Sequence, residues 1–266
     1  INSLVRNQKT LIVSSNQDHR STDLTIFSEI IIMAGNTMTV TLQQSVEIAT
    51  KKKTDNSDWV LAFANNGTLH AVHTTSTLDL SAHNSLVFNS LNIESGSVTM
   101  TIEQFQQKTV SRANGTFTLK ISQNANLISL NLNSVTHLIV SATVTLSAAQ
   151  IANTNITMNG GSLTLMVSET TDLQNSDSVL NASNAIVISG KLIVTPQQAS
   201  LHSSKITKQS SGSLEIKITD TTLSIESLNL NKVDTVVVSN STVTMTALQA
   251  ELFRLGTTSS SSTIKV

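Results

Sequence analysis

The chain has 266 residues, a net charge of −1 and no cysteine. Disulfides, thiolate metal sites and thiol nucleophiles are therefore excluded, as is a global field that would steer it to nucleic acid or an acidic membrane. Charged residues make up 12% and glycines number nine, so Ser, Thr and Asn fill the space charge normally takes, and collagen-like glycine arrays are ruled out.

The chain opens at Ile1 with no basic segment leading into an apolar one, so any signal peptide is expected to be removed or to lie outside this sequence. No run reaches the roughly 18 apolar residues of a membrane span. The densest, Ile30–Met33 and Val236–Val238, are strand-sized. Ile30–Ile32 predicts a strand, and Val40-Thr41-Leu42-Gln43-Gln44 follows it. An insertion is expected around Lys51–Asn56. The run Lys51–Lys53 would lie near a helix C-terminus, where positive charge suits the dipole. Trp59, the single tryptophan, reads as a packing anchor in that insertion.

Gly67-Thr68-Leu69-His70-Ala71-Val72 predicts an alternating strand led by glycine. His70 and His73 then point to opposite faces and cannot share a metal. Leu91–Ile93 predicts the next strand, followed by Met100-Thr101-Ile102-Glu103-Gln104 and the glycine-led strand Gly115–Ile121. The same order returns twice more. Leu138–Val140 leads to Leu146-Ser147-Ala148-Ala149-Gln150 and Gly161–Val167. Ile186–Ile188 leads to Val194-Thr195-Pro196-Gln197-Gln198 and Gly212–Ile218. Val236–Val238 then precedes Met245-Thr246-Ala247-Leu248-Gln249, with a last helix expected over Ala247–Leu255 and Gly256 at its C′ position. Ser262–Val266 match the start of a glycine-led strand, so the array is expected to run on or to pair its end with another subunit.

The five Gln motifs have the form of capping boxes. The Ser/Thr hydroxyl accepts from the N3 amide, and the Gln side chain returns to the cap amide. The pairs are Thr41 with Gln44, Thr101 with Gln104, Ser147 with Gln150, Thr195 with Gln198, and Thr246 with Gln249. Pro196 occupies N1, where a missing N–H costs nothing. Each cap follows an apolar residue, and four of the five have another four positions on, as a hydrophobic staple requires. Each box should contribute about 1 kcal/mol.

The Gln-to-Gln steps are 60, 46, 48 and 51 residues. Three strands per unit are too few for a sandwich domain, so each unit must bury its apolar face on its neighbours. The expected fold is mainly β: a parallel β-solenoid of about 48-residue repeats, each of about two coils of ~24 residues, with short capped helices. The chain reads as a single elongated array, 1–266, with repeats at approximately 1–44, 45–104, 105–150, 151–198 and 199–249 and a partial one at 250–266. The strands Ile30–Ile32, Leu138–Val140, Ile186–Ile188 and Val236–Val238 are apolar on both faces, which predicts helices covering the outer one. Small residues such as Ser141-Ala142 and Ser239-Asn240-Ser241 are expected to turn the corners into the capped strands.

These Val-Thr-x-x-Gln units, alternating with strands such as Ile216-Lys217-Ile218-Thr219-Asp220-Thr221, resemble tandem repeats of large bacterial surface and secreted proteins of the adhesin type, over about residues 30–266. The Asp-Thr pair after the strand is kept well only at Asp220-Thr221. The resemblance implies a stalk or scaffold at the cell surface or outside the cell, with no catalytic residues. Self-association or further repeats of the same chain are the expected partners, with a glycan or host surface as the other class. No nucleic acid, membrane span, cofactor or metal is expected.

Two other functions compete. A glycan-processing enzyme on a solenoid face would need convergent carboxylates and aromatic platforms. A glycan- or surface-binding module would use Thr ladders such as Thr99–Thr101 and Thr244–Thr246. Asp172, Asp177, Asp220 and Asp234 read as turn formers rather than cation ligands. His83, His137 and His202 are isolated. Sequons begin at Asn66, Asn114, Asn155, Asn181 and Asn240, a number that chance supplies in a chain this rich in Asn, Ser and Thr. No Gly-x-Ser-x-Gly elbow, phosphate loop or dinucleotide fingerprint occurs.

Overall fold

The computed structural model describes residues 10–27, 29–50, 60–63, 67–75, 77–83, 86–152, 154–219, 222–259 and 261–266. Lys51–Lys53, Trp59, Asn66, Asp220 and Thr221 lie outside the described residues. Strand exceeds helix, 44% against 17%, so the protein is mainly β. Among the described residues the ladders are parallel. The chain divides into two compact units, Ile1–Lys120 and Ile121–Val266.

In the first unit, Thr10–Val13, Glu29–Ile32 and Val60–Phe63 form a three-stranded sheet. Gln17–Asp18, Thr37–Thr41, Thr68–His73, Ser90–Ile93 and Thr109–Arg112 form a five-stranded one. Thr77–Asp79, Ser97–Thr101 and Thr116–Ile121 pair side by side. Successive strands of the chain thus enter different sheets, and within a sheet a strand pairs with the one two further on.

The second unit repeats this alternation. One sheet runs through Ala125–Asn126, Thr143–Ser147, Ser162–Val167, Ala185–Ile188 and Ile206–Lys208. Another contains Thr171–Asp172, Lys191–Val194, Ser213–Thr219, Thr235–Ser239 and Arg254–Thr257, and a third Thr222–Ser224, Thr242–Thr244 and Thr263–Lys265. Ladder partners such as His137 and Asn155, or Lys191 and Ser213, lie 18 to 22 residues apart, shorter than the coil of about 24 inferred from the repeat length. The offset rises to 31 between Thr37 and Thr68. The extra length of the first Gln-to-Gln step falls there, where the helix α1, Leu42–Thr50, is also found.

Alternation of the sequence sets the core. Leu163, Leu165 and Val167 point inward and are fully buried, as are Ile186 and Ile188 on the neighbouring strand. Each such side chain contributes about 1.5–3 kcal/mol by leaving water. In the first unit Phe105 tilts against Phe117, ring centroids 5.4 Å apart. The strands apolar on both faces do not have their outer face covered: Ile31, Ile139, Val187 and Val237 remain half-buried. Their cover comes from lateral neighbours along the ladder, as with Val187 between Met166 and Thr207, rather than from helices.

Glycine has two separate uses. Gly35 and Gly96 turn the corners into capped strands with φ of +72° and +73°, and Asn240 does the same at +52°. Gly161 opens its strand because the coil below lies too close for a side chain: a Cβ there would sit 2.7 Å from the Ala142 amide nitrogen and the Val140 carbonyl oxygen.

Five further helices are short: α2, Ile102–Gln106; α3, Ala148–Ile151; α4, Asp177–Ala182; α5, Pro196–Leu201; and α6, Ala247–Leu252. The end of α6 corrects the expected helix to Leu255. Arg254–Thr257 is a strand paired with Thr235–Val238, so Gly256 lies in a ladder and is not a C′ residue. The buried Phe253 and the sheet's open backbone groups draw the chain out of the helix. Nothing in the Gln motif announced α4, whose N-cap Ser176 makes no capping hydrogen bond. The helix is held instead by burial of Val179 and Leu180.

Candidate functional site

The residues singled out by the sequence converge on five corners, and there the glutamines do more than cap. The hydroxyl half of the box is made at Thr41, Thr101, Thr195 and Thr246, which accept from the amides of Gln44, Gln104, Gln198 and Gln249 at 3.1, 3.4, 3.2 and 3.1 Å. The returning half is made at all five. The cap amides of Thr41, Thr101, Ser147, Thr195 and Thr246 donate to Oε1 of Gln44, Gln104, Gln150, Gln198 and Gln249 at 2.7–3.0 Å. At Ser147 the returning bond measures 2.8 Å.

The amide nitrogen of each glutamine then reaches back across one ladder step. Gln44 Nε2 donates to the carbonyls of His19 and Thr22 at 3.1 and 2.8 Å. Gln104 donates to Leu80 and His83, both at 2.7 Å. Gln150 donates to Leu127 at 2.9 Å and also to Leu130. Gln198 donates to Leu173 and Gln174, and Gln249 to Ile225 and Leu228. These acceptors lie 20 to 25 residues upstream. One side chain therefore satisfies an orphan helix amide and two turn carbonyls, with both donors and the acceptor occupied.

The turn under each staple has its own local device. Residues His19, Leu80, Leu127, Leu173 and Ile225 accept an i+3 backbone hydrogen bond. The residue before four of them closes an Asx turn: Asp18 onto the Arg20 amide, Asp79 onto Ser81, Asn126 onto Ile128 and Asp172 onto Gln174. The Arg20 guanidinium beside Asp18 holds that carboxyl at about 2.

Two further aspartates are also engaged. Asp177 accepts from Gln198 Nε2 at 2.6 Å, the one staple with a third partner. Asp234 accepts from the Leu214 amide at 2.8 Å and from Lys208 Nζ at 2.6 Å. Asn89 and Asn184 hold the Leu69 and Leu163 amides in the same way at 2.8 Å. Sequence reading missed this anchor, although its signal was present. Asn89, Asn184 and Asp234 each stand one residue before a strand of the same class.

The histidines do not assemble. His70 bonds Ser90 Oγ at 2.8 Å on the outer face, while His73 is buried inside. His137 meets Thr157 at 2.8 Å, and the His83 carbonyl serves Gln104. His202 is buried at the end of α5. Burial pushes the imidazoles of His73 and His202 below their ordinary range. Lys205 adds to this at His202, and Asp177 opposes it. Nε2 of His73 and Nδ1 of His202 have no hydrogen-bond partner. Among the described residues no cluster of His, Asp or Glu has the makings of a metal site, and no helix is long and apolar enough to cross a membrane. Thr99 and Thr101 stand on one strand face beside Thr118 and Lys120. Thr244 stands beside Lys265, one step from the cap Thr246.

No family model, curated protein or solved structure matches the chain.

Proposed function

We propose that the chain is a structural repeat segment, a parallel β-solenoid serving as stalk or scaffold in an extracellular fibre, surface layer or adhesin, with no catalytic role. The observation that carries this reading is the reuse of one staple at five corners: the glutamines are consumed in fastening one coil to the one before, and four of the Asx residues beside them in closing the turns they grip. With ladder offsets near 20 residues, a 48-residue repeat spans about two and a half coils, so consecutive caps fall in different sheets. Such a stack resists extension because each group of coils must be torn from its neighbours before it can unravel.

Single-molecule pulling of the purified chain tests the role, alongside incubation with a panel of bacterial and plant polysaccharides. Stepwise unfolding at high force, coil group by coil group, is the expected result. Unfolding at negligible force, or release of new reducing ends from any polysaccharide, overturns the reading.

A further inference from the structure

Where the chain turns from Thr109–Arg112 into Thr116–Ile121, the ladder grips both sides of the corner and leaves its middle free. The Ala113 amide donates to the Ile93 carbonyl at 2.9 Å, and the Thr116 amide to the Gly96 carbonyl at 2.8 Å. Asn114 and Gly115 lie between them. Asn114 is exposed, and among the described residues neither its side chain nor the Gly115 amide has a hydrogen-bond partner. Close approach of the neighbouring coil demands the glycine: a Cβ there would run into Ile93 Cγ2 and lie 3.0 Å from the Gly96 carbonyl oxygen. The same lack of a Cβ leaves the Gly115 nitrogen open to the side chain that precedes it. Arg112 Nη1 donates to the Gly115 carbonyl at 3.2 Å, so a positive charge is held close to that nitrogen. A cation so placed favours loss of the amide proton.

We infer that Asn114 is a site of spontaneous modification, where the side-chain amide is converted to aspartate and isoaspartate with water as the only co-reactant. The Gly115 nitrogen gives up its proton and attacks Asn114 Cγ. The N–Cγ bond forms, the Cγ–Nδ2 bond breaks, and Nδ2 leaves as ammonia with that proton. The resulting succinimide takes up one water. Opening at Cγ leaves aspartate, opening at the main-chain carbonyl leaves isoaspartate, and nothing is oxidised or reduced. The product carries a new negative charge two residues from the exposed Arg112. Phe117, Leu119 and Ile121 are fully buried and the residues on either side of the step stay gripped, so the extra main-chain atom of isoaspartate bulges at the exposed corner and the coil remains folded. Asn159–Gly160 is the internal comparison. There Nδ2 donates to Ser141 Oγ at 3.2 Å and the Asn159 amide to the Val140 carbonyl at 2.8 Å, so the leaving group is held. Asn66, which precedes Gly67, lies outside the described residues. The inference is independent of the structural role proposed above, since it needs only this corner.

Ageing the purified full chain in heavy-oxygen water at mildly alkaline pH, followed by peptide mapping, tests the inference. Asn114 is expected to show the mass gain of amide-to-acid exchange with one heavy oxygen, mostly as isoaspartate. It should convert roughly tenfold faster than Asn159, which must first give up its hydrogen bond. Circular dichroism should stay unchanged as the acidic form accumulates. Arg112→Gln should slow the conversion, and Asn114→Gln, whose longer side chain closes a ring far less readily, should abolish it. Conversion of Asn159 at the same rate or sooner overturns the inference. So does survival of Asn114 as the amide through several half-lives of the same step in a synthetic peptide of residues 111–118.

Discussion

Two strands of one class reach similar burial by different routes. In the second unit Ser162–Val167 points Leu163, Leu165 and Val167 inward, all fully buried, and the four-residue helix α3 packs beside it, leaving Met166 half-buried. In the first unit Thr68–His73 points Leu69, Ala71 and His73 inward, so one leucine has become alanine and a valine has become an imidazole. That strand is poorer inside and richer outside. The nine-residue helix α1 lies against it, burying its own Leu42, Val46 and Ile48, and Val72 on the strand's outer side is only 4% exposed. The pair teaches that a coil can lose apolar volume from its interior when a longer helix covers its outer face.

The comparison can be broken from either side. Leu165→Ala gives the second unit the inside of the first without its helix. It should cost about 3 kcal/mol, since a buried leucine leaves both a transfer loss and a cavity. Chemical denaturation read against Leu69→Ala checks whether both units respond alike. Val46→Ala thins the cover of α1 and should cost about 1–2 kcal/mol, measured as faster amide exchange confined to Thr68–His73 and its ladder partners. The smallest effect near neutral pH is expected from His73→Val, which copies Val167 and should stabilise by about 1 kcal/mol by removing an unsatisfied buried nitrogen. This variant sharpens the comparison most as the pH falls. Because the folded imidazole sits below its ordinary 6.5, the unfolded chain takes the proton first. Stability contributed by the neutral ring is present above the unfolded value and is lost as the pH falls through the folded one, by at most about 1.4 kcal/mol per pH unit. In His73→Val that part of the acid loss should disappear while the part due to His202 remains. Equal acid sensitivity of both proteins would refute the assignment.

The caps were legible because every part of a capping box lies within four residues. Thr195-Pro196-Gln197-Gln198 contains the whole cap in its own letters. What Gln198 does with its amide nitrogen was not legible. Its acceptors are backbone carbonyls of Leu173 and Gln174, and carbonyls leave no mark on residue type. The pairing offset was not legible for a related reason. The Gln step measures the distance between like corners, whereas the offset between ladder partners, 18 to 22 residues, is set by which strands pair. The outer faces of Ile30–Ile32 and Val236–Val238 looked like buried positions because β-branched residues suit a strand whether a helix or a neighbouring rung touches them. His73 was placed on the face opposite His70, but the unpartnered state of its Nε2 depends on packing that no local pattern records.

The glutamine staple is directional. Gln150, Gln198 and Gln249 each hold carbonyls upstream of themselves and none downstream. A polypeptide emerging amino end first therefore leaves its newest turn unlatched until the following cap has been made, and then locks it from behind like the pawl of a ratchet. Trimming from the carboxyl end releases these latches one at a time, whereas trimming from the amino end strands a latch with nothing to grip.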